Sequence, residues 1–362
     1  MQIMLIGPTS VGKTSVLATM YHLFNKAMAG YEIRLTNAGN RMRGSLTNKI
    51  SELKHVLANG TTELNVTQGT RNATTFNFSL ERPPLMVLGV PQARTPVPIE
   101  FFDFPGGYLT GGMDSETDAV RQAVNNSIVF VVVIDAAAMM HNNGEYHDQI
   151  NSPDTVIDFL YSRISAAPVD RFLVVFVPVK SETYIADTNA QLEMIAAIED
   201  YYSPIISVAK RKQTAVVIAP AVTLNARVSL SHVEDNDVGE TKFTFQKPAN
   251  SVWEPAYADY VLYYILSFLL KHFRDNLQPK LKREKAKKSL EEIRIQRASG
   301  NFFKSVLAWF KETVEPVRHG VGDTLLKLFG EDDDLERLMA DVVEKLPTDP
   351  PFKIICGHSL LK

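Results

Sequence analysis

The chain has 362 residues, 45% of them hydrophobic, with 38 Lys and Arg set against 41 Asp and Glu for a formal net charge of −3. That is the composition of an ordinary globular protein with one large domain and an appendage, or two domains, and it excludes a global field aimed at nucleic acid or membrane. The single cysteine, Cys356, excludes an intramolecular disulfide, and no CxxC cluster is present, so a reducing, cytoplasmic setting is expected.

The first apolar run, QIMLI (2–6), reads as a strand and leads into GPTSVGKT (7–14) rather than into a cleavage site, so no secretory signal is expected. The loop satisfies G-x-x-x-x-G-K-[ST] between that strand and a helix expected from Lys13 to about Met28. Its chemistry is phosphate binding. Gly7 and Gly12 remove side chains where the backbone must turn and approach closely, and the N–H groups of Ser10, Val11, Gly12, Lys13, Thr14 and Ser15 can then converge on a β-phosphate. Lys13 supplies a cation to the β- and γ-oxygens, and the Thr14 hydroxyl a ligand for Mg²⁺.

Residues 38–58 look like a helical insertion, and TTFNFSL (74–80) and PIEFFDF (98–104) read as strands. The proline-rich link between those strands has no helical periodicity, so the pair is expected to be antiparallel. The second of them ends in DFPGG. Asp103 at a strand tip beside a phosphate loop is placed to hold Mg²⁺, and the Gly106 N–H to meet a γ-phosphate oxygen. Further strands are expected at 127–134, 171–179 and 214–222, and helices at 118–125, 153–166 and 189–212. The pattern is α/β, a mainly parallel central sheet with one antiparallel strand flanked by helices. Alternating runs ARVSLSHV (226–233) and TKFTFQ (241–246) read as a β-hairpin insertion over 225–247.

After Trp253 the chain reads as helix throughout, which divides it into 1–250 and a C-terminal helical region, 251–362. The most apolar helix, 260–273, is too short to span a bilayer and is expected to be buried. Phe302, Phe303, Val306, Leu307 and Phe310 share a helical face, expected to pack within the appendage in preference to a protein partner or, least favoured, a membrane surface. His141 and His147 lack the spacing of a metal site, and EDDD (331–334) lacks that of a calcium loop. Acidic residues interrupt the basic run after Lys280, so no specific nucleic acid is expected.

A phosphate loop on the first strand, an antiparallel pair, and D-x-P-G closing the third strand resemble the translation-factor-related P-loop GTPases, the class of the Ras-like proteins, over about residues 1–225. The resemblance implies GTP and GDP as ligands, with Mg²⁺. It also implies a threonine before the second strand that contacts Mg²⁺ and the γ-phosphate; Thr70, Thr74 and Thr75 all qualify, and Thr74 is favoured. For the base, the class uses [NT]-K-x-D, and VPVKSE (177–182) offers Lys180 and Glu182, with Val179 in place of the polar residue. Glutamate still accepts from both guanine donors, which favours guanine over adenine. APAVTLNA (219–226) lacks the usual last base motif, and no residue is assigned there. Where Ras-like proteins carry a water-orienting glutamine, this chain has Gly107, and Arg71 is the nearest candidate for an arginine in cis. Slow hydrolysis without a second chain is therefore expected.

More narrowly, the early insertion, DFPGG, Lys-x-Glu and WEPAYADYVLYYILSFLL (253–270) resemble bacterial double-GTPase proteins, inferred to act with companion GTPases in conflict or defence systems. That implies a second GTPase, a regulator or a second copy of the chain as partner. An ATPase of similar fold, and a GTP-stabilised scaffold that barely hydrolyses, are the alternative readings.

Overall fold

Strands buried on both faces read as near-continuous apolar runs, and three stretches here fit that pattern, with a polar residue only at an end. In a computed structural model of the chain, Val129–Asp135 and Phe172–Val179 are buried at every residue, as is Thr214–Ile218. The described residues are 2–8, 10–31, 33–37, 40–58, 63–64, 74–81, 84–87, 90–92, 97–104, 123, 125, 127–166, 171–235, 241–272, 275, 344, 346 and 351–361. Their strands are β1 (Gln2–Ile6), β2 (Arg34–Asn37), β3 (Glu63–Leu64), β4 (Thr74–Glu81), β5 (Leu85–Val87), β6 (Val90–Gln92), β7 (Val97–Asp103), β8 (Val129–Asp135), β9 (Phe172–Val179), β10 (Thr214–Ile218), β11 (Ser229–Asp235), β12 (Thr241–Gln246) and β13 (Lys353–Cys356).

Among the described residues the central sheet has eight strands in the order β13-β10-β9-β8-β1-β7-β4-β2. The five from β10 to β7 are parallel. β4 runs antiparallel to β7, as the link between them predicts, and alternates: Phe76, Phe78 and Leu80 face the core while intervening residues are half-exposed. β2 and β13 close the two edges, each antiparallel to its neighbour. A smaller sheet, β11-β12-β3, contains the expected hairpin.

Helix α1 (Lys13–Met28) buries Val16, Leu17, Met20, Phe24 and Met28 along one stripe. The helix Ala258–His272 packs against it, Phe24 and Tyr263 lying 6.1 Å apart between ring centroids. That helix is buried over most of its circumference, and no described helix is long and apolar enough to cross a membrane. The insertion forms α2 (Asn40–Ala58).

Two expectations need correction. The helix foreseen over 189–212 is two helices, Thr188–Tyr201 and Ser203–Arg211. Pro204 lacks an N–H and its ring would clash with the Asp200 carbonyl, so the chain breaks at Tyr202, whose φ and ψ of −100° and 20° are not helical. The C-terminal region is not helical throughout either, since β13 adds to the main sheet, Ile354 pairing with Val217. Phe352 anchors this strand on Tyr257 and Tyr260, at ring separations of 5.4 and 4.9 Å. The helix expected over 118–125 falls mostly outside the described residues, as do the 302–310 face and the charge blocks after residue 280.

Gly357 ends β13 with φ 75°, and a Cβ there would lie 2.4 Å from the Ala215 Cα on β10. Gly357→Ala combines left-handed backbone strain with a clash that only a strand shift relieves. We expect it to lower stability by about 1–3 kcal/mol in urea unfolding. Unchanged stability would mean that β13 contributes nothing as an edge strand.

Candidate functional site

Parallel pairing of β1 with β7 sets Leu5 beside Asp103, and the Phe104 N–H donates to the Leu5 carbonyl at 3.0 Å. The loop leaving β1 lies against β8. Gly7 has φ 156°, and a Cβ there would stand 2.7 Å from the Val133 carbonyl oxygen, so only glycine fits. Ser10 and Gly12 also take positive φ, 66° and 114°, turning the chain into α1. Val11 is buried beneath the loop. Gly12 caps α1 without a side chain, leaving the positive end of the helix facing the loop.

Lys13 is 7% exposed, and its Nζ donates to the carbonyls of Gly7 and Pro8 at 2.8 and 3.0 Å. Its ammonium is 3.6 Å from Asp103 Oδ1, an ion-pair distance, and that oxygen is buried without a hydrogen bond. Burial lowers the Lys13 pKa although Asp103 pulls the other way, and burial pushes Asp103 up to about 6 against the pull of Lys13. Both charges are held where they would gain from an oxyanion and a cation.

β4 and β7 place Thr74 directly opposite Asp103. With Thr14 in the first turn of α1, the chain offers one carboxylate and two hydroxyls, a donor set suited to Mg²⁺ that completes its shell with phosphate and water. The orphaned Asp103 oxygen fits such a cation. Among the described residues no cluster of three or more His, Cys, Asp or Glu could hold a metal alone. Gly106, Gly107, Thr70 and Arg71 lie outside the described residues.

Lys180 follows β9 with φ 53° and pairs with Asp135 at the tip of β8. Asp135 is 1% exposed, and its Oδ1 accepts from the Ala138 N–H at 3.0 Å, capping the short helix Ala136–Met140. Asn151 clasps the Asp135 peptide, accepting its N–H at 2.8 Å and donating to its carbonyl at 3.0 Å. Asn151 Nδ2 is also 2.9 Å from His147 Nδ1. An amide nitrogen only donates, so Nδ1 is the acceptor and the ring proton sits on Nε2. Burial drives the His147 pKa down to about 4, keeping the ring neutral. Sequence reasoning singled out Lys180 and missed Asp135, which only a 45-residue separation closed by the sheet brings to it.

Glu182 is 3% exposed, and the backbone N–H groups of Glu182 itself, Thr223 and Leu224, the last two after β10, favour its charged form. Burial nevertheless pushes it up to about 7. These groups line one cavity of about 100 Å³, with Ser10, Gly12 and Ser15 on the loop side and Val179, Lys180 and Glu182 at the end of β9. Thr223 and Leu224 continue the lining, and Leu53 and Val56 of α2 with Val228 and Phe245 beside and on the hairpin complete it. None of this last group had been foreseen, because the insertions carry no motif.

The family model for Double-GTPase 2 matches residues 2–229, and the chain belongs to that family. The match spans the phosphate-loop sequence, Asp103, Lys180, Glu182 and the Thr223–Leu224 turn, and membership suggests GTP binding. No curated protein matches the chain.

The Glu182 environment has a pH signature. Its folded pKa of about 7 lies above the ordinary 4.5, so the native state retains a proton that the unfolded chain releases between those values. The Glu182 contribution to the stability of the nucleotide-free protein is therefore greatest at the low end of that window and is lost as pH rises from about 4.5 to about 7, with Asp103 acting in the same direction and His147 in the opposite one. Glu182→Gln should flatten this part of the profile in urea titrations. An equal slope in the variant would place the titrating group elsewhere.

Proposed function

We propose that the chain is a Mg²⁺-dependent GTP-binding protein that hydrolyses GTP slowly and uses its nucleotide state to control a protein partner. The observation that carries this reading is the placement of the buried Glu182 carboxylate beside Thr223 and Leu224, in the cavity that begins at the phosphate loop. Acceptor and donors stand side by side there. Guanine carries the reverse set, N1–H and N2–H for the carboxylate and O6 for a backbone N–H. Adenine would set its N1 lone pair against a carboxylate oxygen, leaving buried polar groups unpaired. That makes GTP the favoured ligand over ATP, and an ATPase the weaker reading.

On this reading the loop N–H groups and Lys13 bind the β- and γ-phosphates, and Lys180 lays its stem along the base. Thr14, Asp103 and Thr74 hold Mg²⁺, which when bound neutralises charge at the β- and γ-oxygens. Gly106 offers its N–H to the γ-phosphate. Gly107 has no side chain to orient water, and Arg71 is the candidate for charge stabilisation within the chain. Faster turnover then requires a second GTPase, a regulator or another copy. The proposed organisation keeps 1–250 as the GTPase unit, with 251–362 built onto it through the helix Ala258–His272 and β13. A cytoplasmic, bacterial defence setting rests on the narrower family resemblance.

Two measurements test the proposal. In Mg²⁺ buffer, GTP and GDP should displace a fluorescent guanine nucleotide and ATP should not. Lys13→Ala should abolish that binding, and Glu182→Ala should weaken guanine binding by about 1–3 kcal/mol, ten- to hundredfold, without improving ATP. Guanine preference that survives Glu182→Ala would refute base reading by this residue. Single-turnover hydrolysis by the purified chain should be slow, on the order of 10⁻⁴ to 10⁻² per second. A fast rate unaffected by Arg71→Ala would reveal a catalytic group outside this scheme and sink the partner requirement.

A further inference from the structure

We infer that α2 and the β11–β12 hairpin form the nucleoside-facing wall of the site, with Phe245, Leu53 and Val56 positioning the base and setting how long a nucleotide stays. The inference rests on the guanine-nucleotide reading above and extends it to two insertions with no assigned role.

Three observations converge. Phe245, Leu53 and Val56 line the same cavity as Ser10, Lys180 and Glu182, so the apolar wall and the polar groups enclose one space. Phe245 and Leu53 are only 6% and 8% exposed, an apolar surface turned inward. Planar bases are held by such surfaces, since every base has an apolar face whatever its edge.

The wall is also built as a unit. Phe245 pairs with Leu64 across β12 and β3, and Leu57, Val228, Phe243 and Phe245 share a small core with Ala137 and Ala138. Lys247, 6% exposed, donates to the Leu57 carbonyl at the C-terminal end of α2, where the helix dipole favours a cation.

Finally, the wall is tied to the base loop. The Lys54 ammonium of α2 lies 5.2 Å from the centre of the Trp253 ring, and Trp253 Nε1 donates to the Thr223 carbonyl at 2.9 Å. The same Thr223 lines the cavity beside Glu182 and favours its charged form. One residue thus joins the group proposed to read the base to the wall proposed to cover it. A nucleoside held between them leaves only when α2 and the hairpin move off the phosphate loop.

The test compares release of a fluorescent GDP analogue with binding of inorganic tripolyphosphate, which has no base. Phe245→Ala should speed nucleotide release by about tenfold or more, the size expected for a lost aromatic contact with a base, and leave tripolyphosphate affinity unchanged. Val56→Ser, at a half-buried position, gives the same comparison in a variant less prone to misfold. Unchanged release in both variants would overturn the inference, and so would a parallel loss of tripolyphosphate affinity, which marks damage to the phosphate loop. Wild-type protein that binds tripolyphosphate and no guanine nucleotide would instead overturn the reading beneath it.

Discussion

The position of β1 between β7 and β8, parallel to both, is the constraint on which the site depends. Parallel strands deliver all their carboxyl ends to one edge of the sheet, and ligands of open α/β sheets bind at that edge. Here β1 ends in the Gly7 loop, β7 in Asp103, β8 in Asp135, and β9 runs into Lys180 and Glu182, while Thr223 follows β10. Five short segments far apart in sequence become neighbours. The loop depends on Gly7, because a Cβ there would stand 2.7 Å from the Val133 carbonyl oxygen and push the loop off β8.

Stability alone does not explain the charges at this edge. Burial costs Lys13 and Asp103 their preferred ionisation, each shifted toward the neutral form despite the other's presence. A buried pair in that condition recovers less from its partner than it loses to desolvation. Lys13 is satisfied locally by two carbonyls, whereas Asp103 Oδ1 has only the distant ammonium. On the guanine-nucleotide reading, a bound triphosphate with its cation would compensate both buried charges. Asp135 is different: its backbone is clasped by Asn151 and its carboxylate shared between Ala138 and Lys180, so it belongs to the scaffold that aims Lys180.

Much of this was legible in the sequence for a physical reason. Strands buried on both faces write continuous apolar runs, and a phosphate loop concentrates its requirements within eight residues, so β1, β8, β9 and the GPTSVGKT loop needed no tertiary knowledge. Asp103 was legible because it ends a strand. What was not legible lies in contacts between distant segments. The Lys247 contact with Leu57 spans 190 residues, and the pairing of β13 with β10 brings Ile354 beside Val217. The Thr223 and Leu224 groups that favour the charged form of Glu182 are backbone N–H groups, which leave no trace in residue identity. The break at Tyr202 was available from Pro204 and was passed over because the apolar period continues across it.

The two insertions acquire a common logic from Trp253. Its ring meets α1 through His22, 4.7 Å away between centroids, meets α2 through Lys54, and holds the base loop through the Thr223 carbonyl. The helix Ala258–His272 begins five residues later and packs on α1. A floppy loop over the pocket would lose its ordering entropy each time a ligand bound, whereas a helix and a hairpin already locked by a buried lysine and a shared core have lost it on folding. The wall therefore costs little to bind against. The same contacts link the Thr223 peptide to α1, to α2 and to the start of the C-terminal region. On the guanine-nucleotide reading, the group that senses the base is joined to α1 and α2 through one indole.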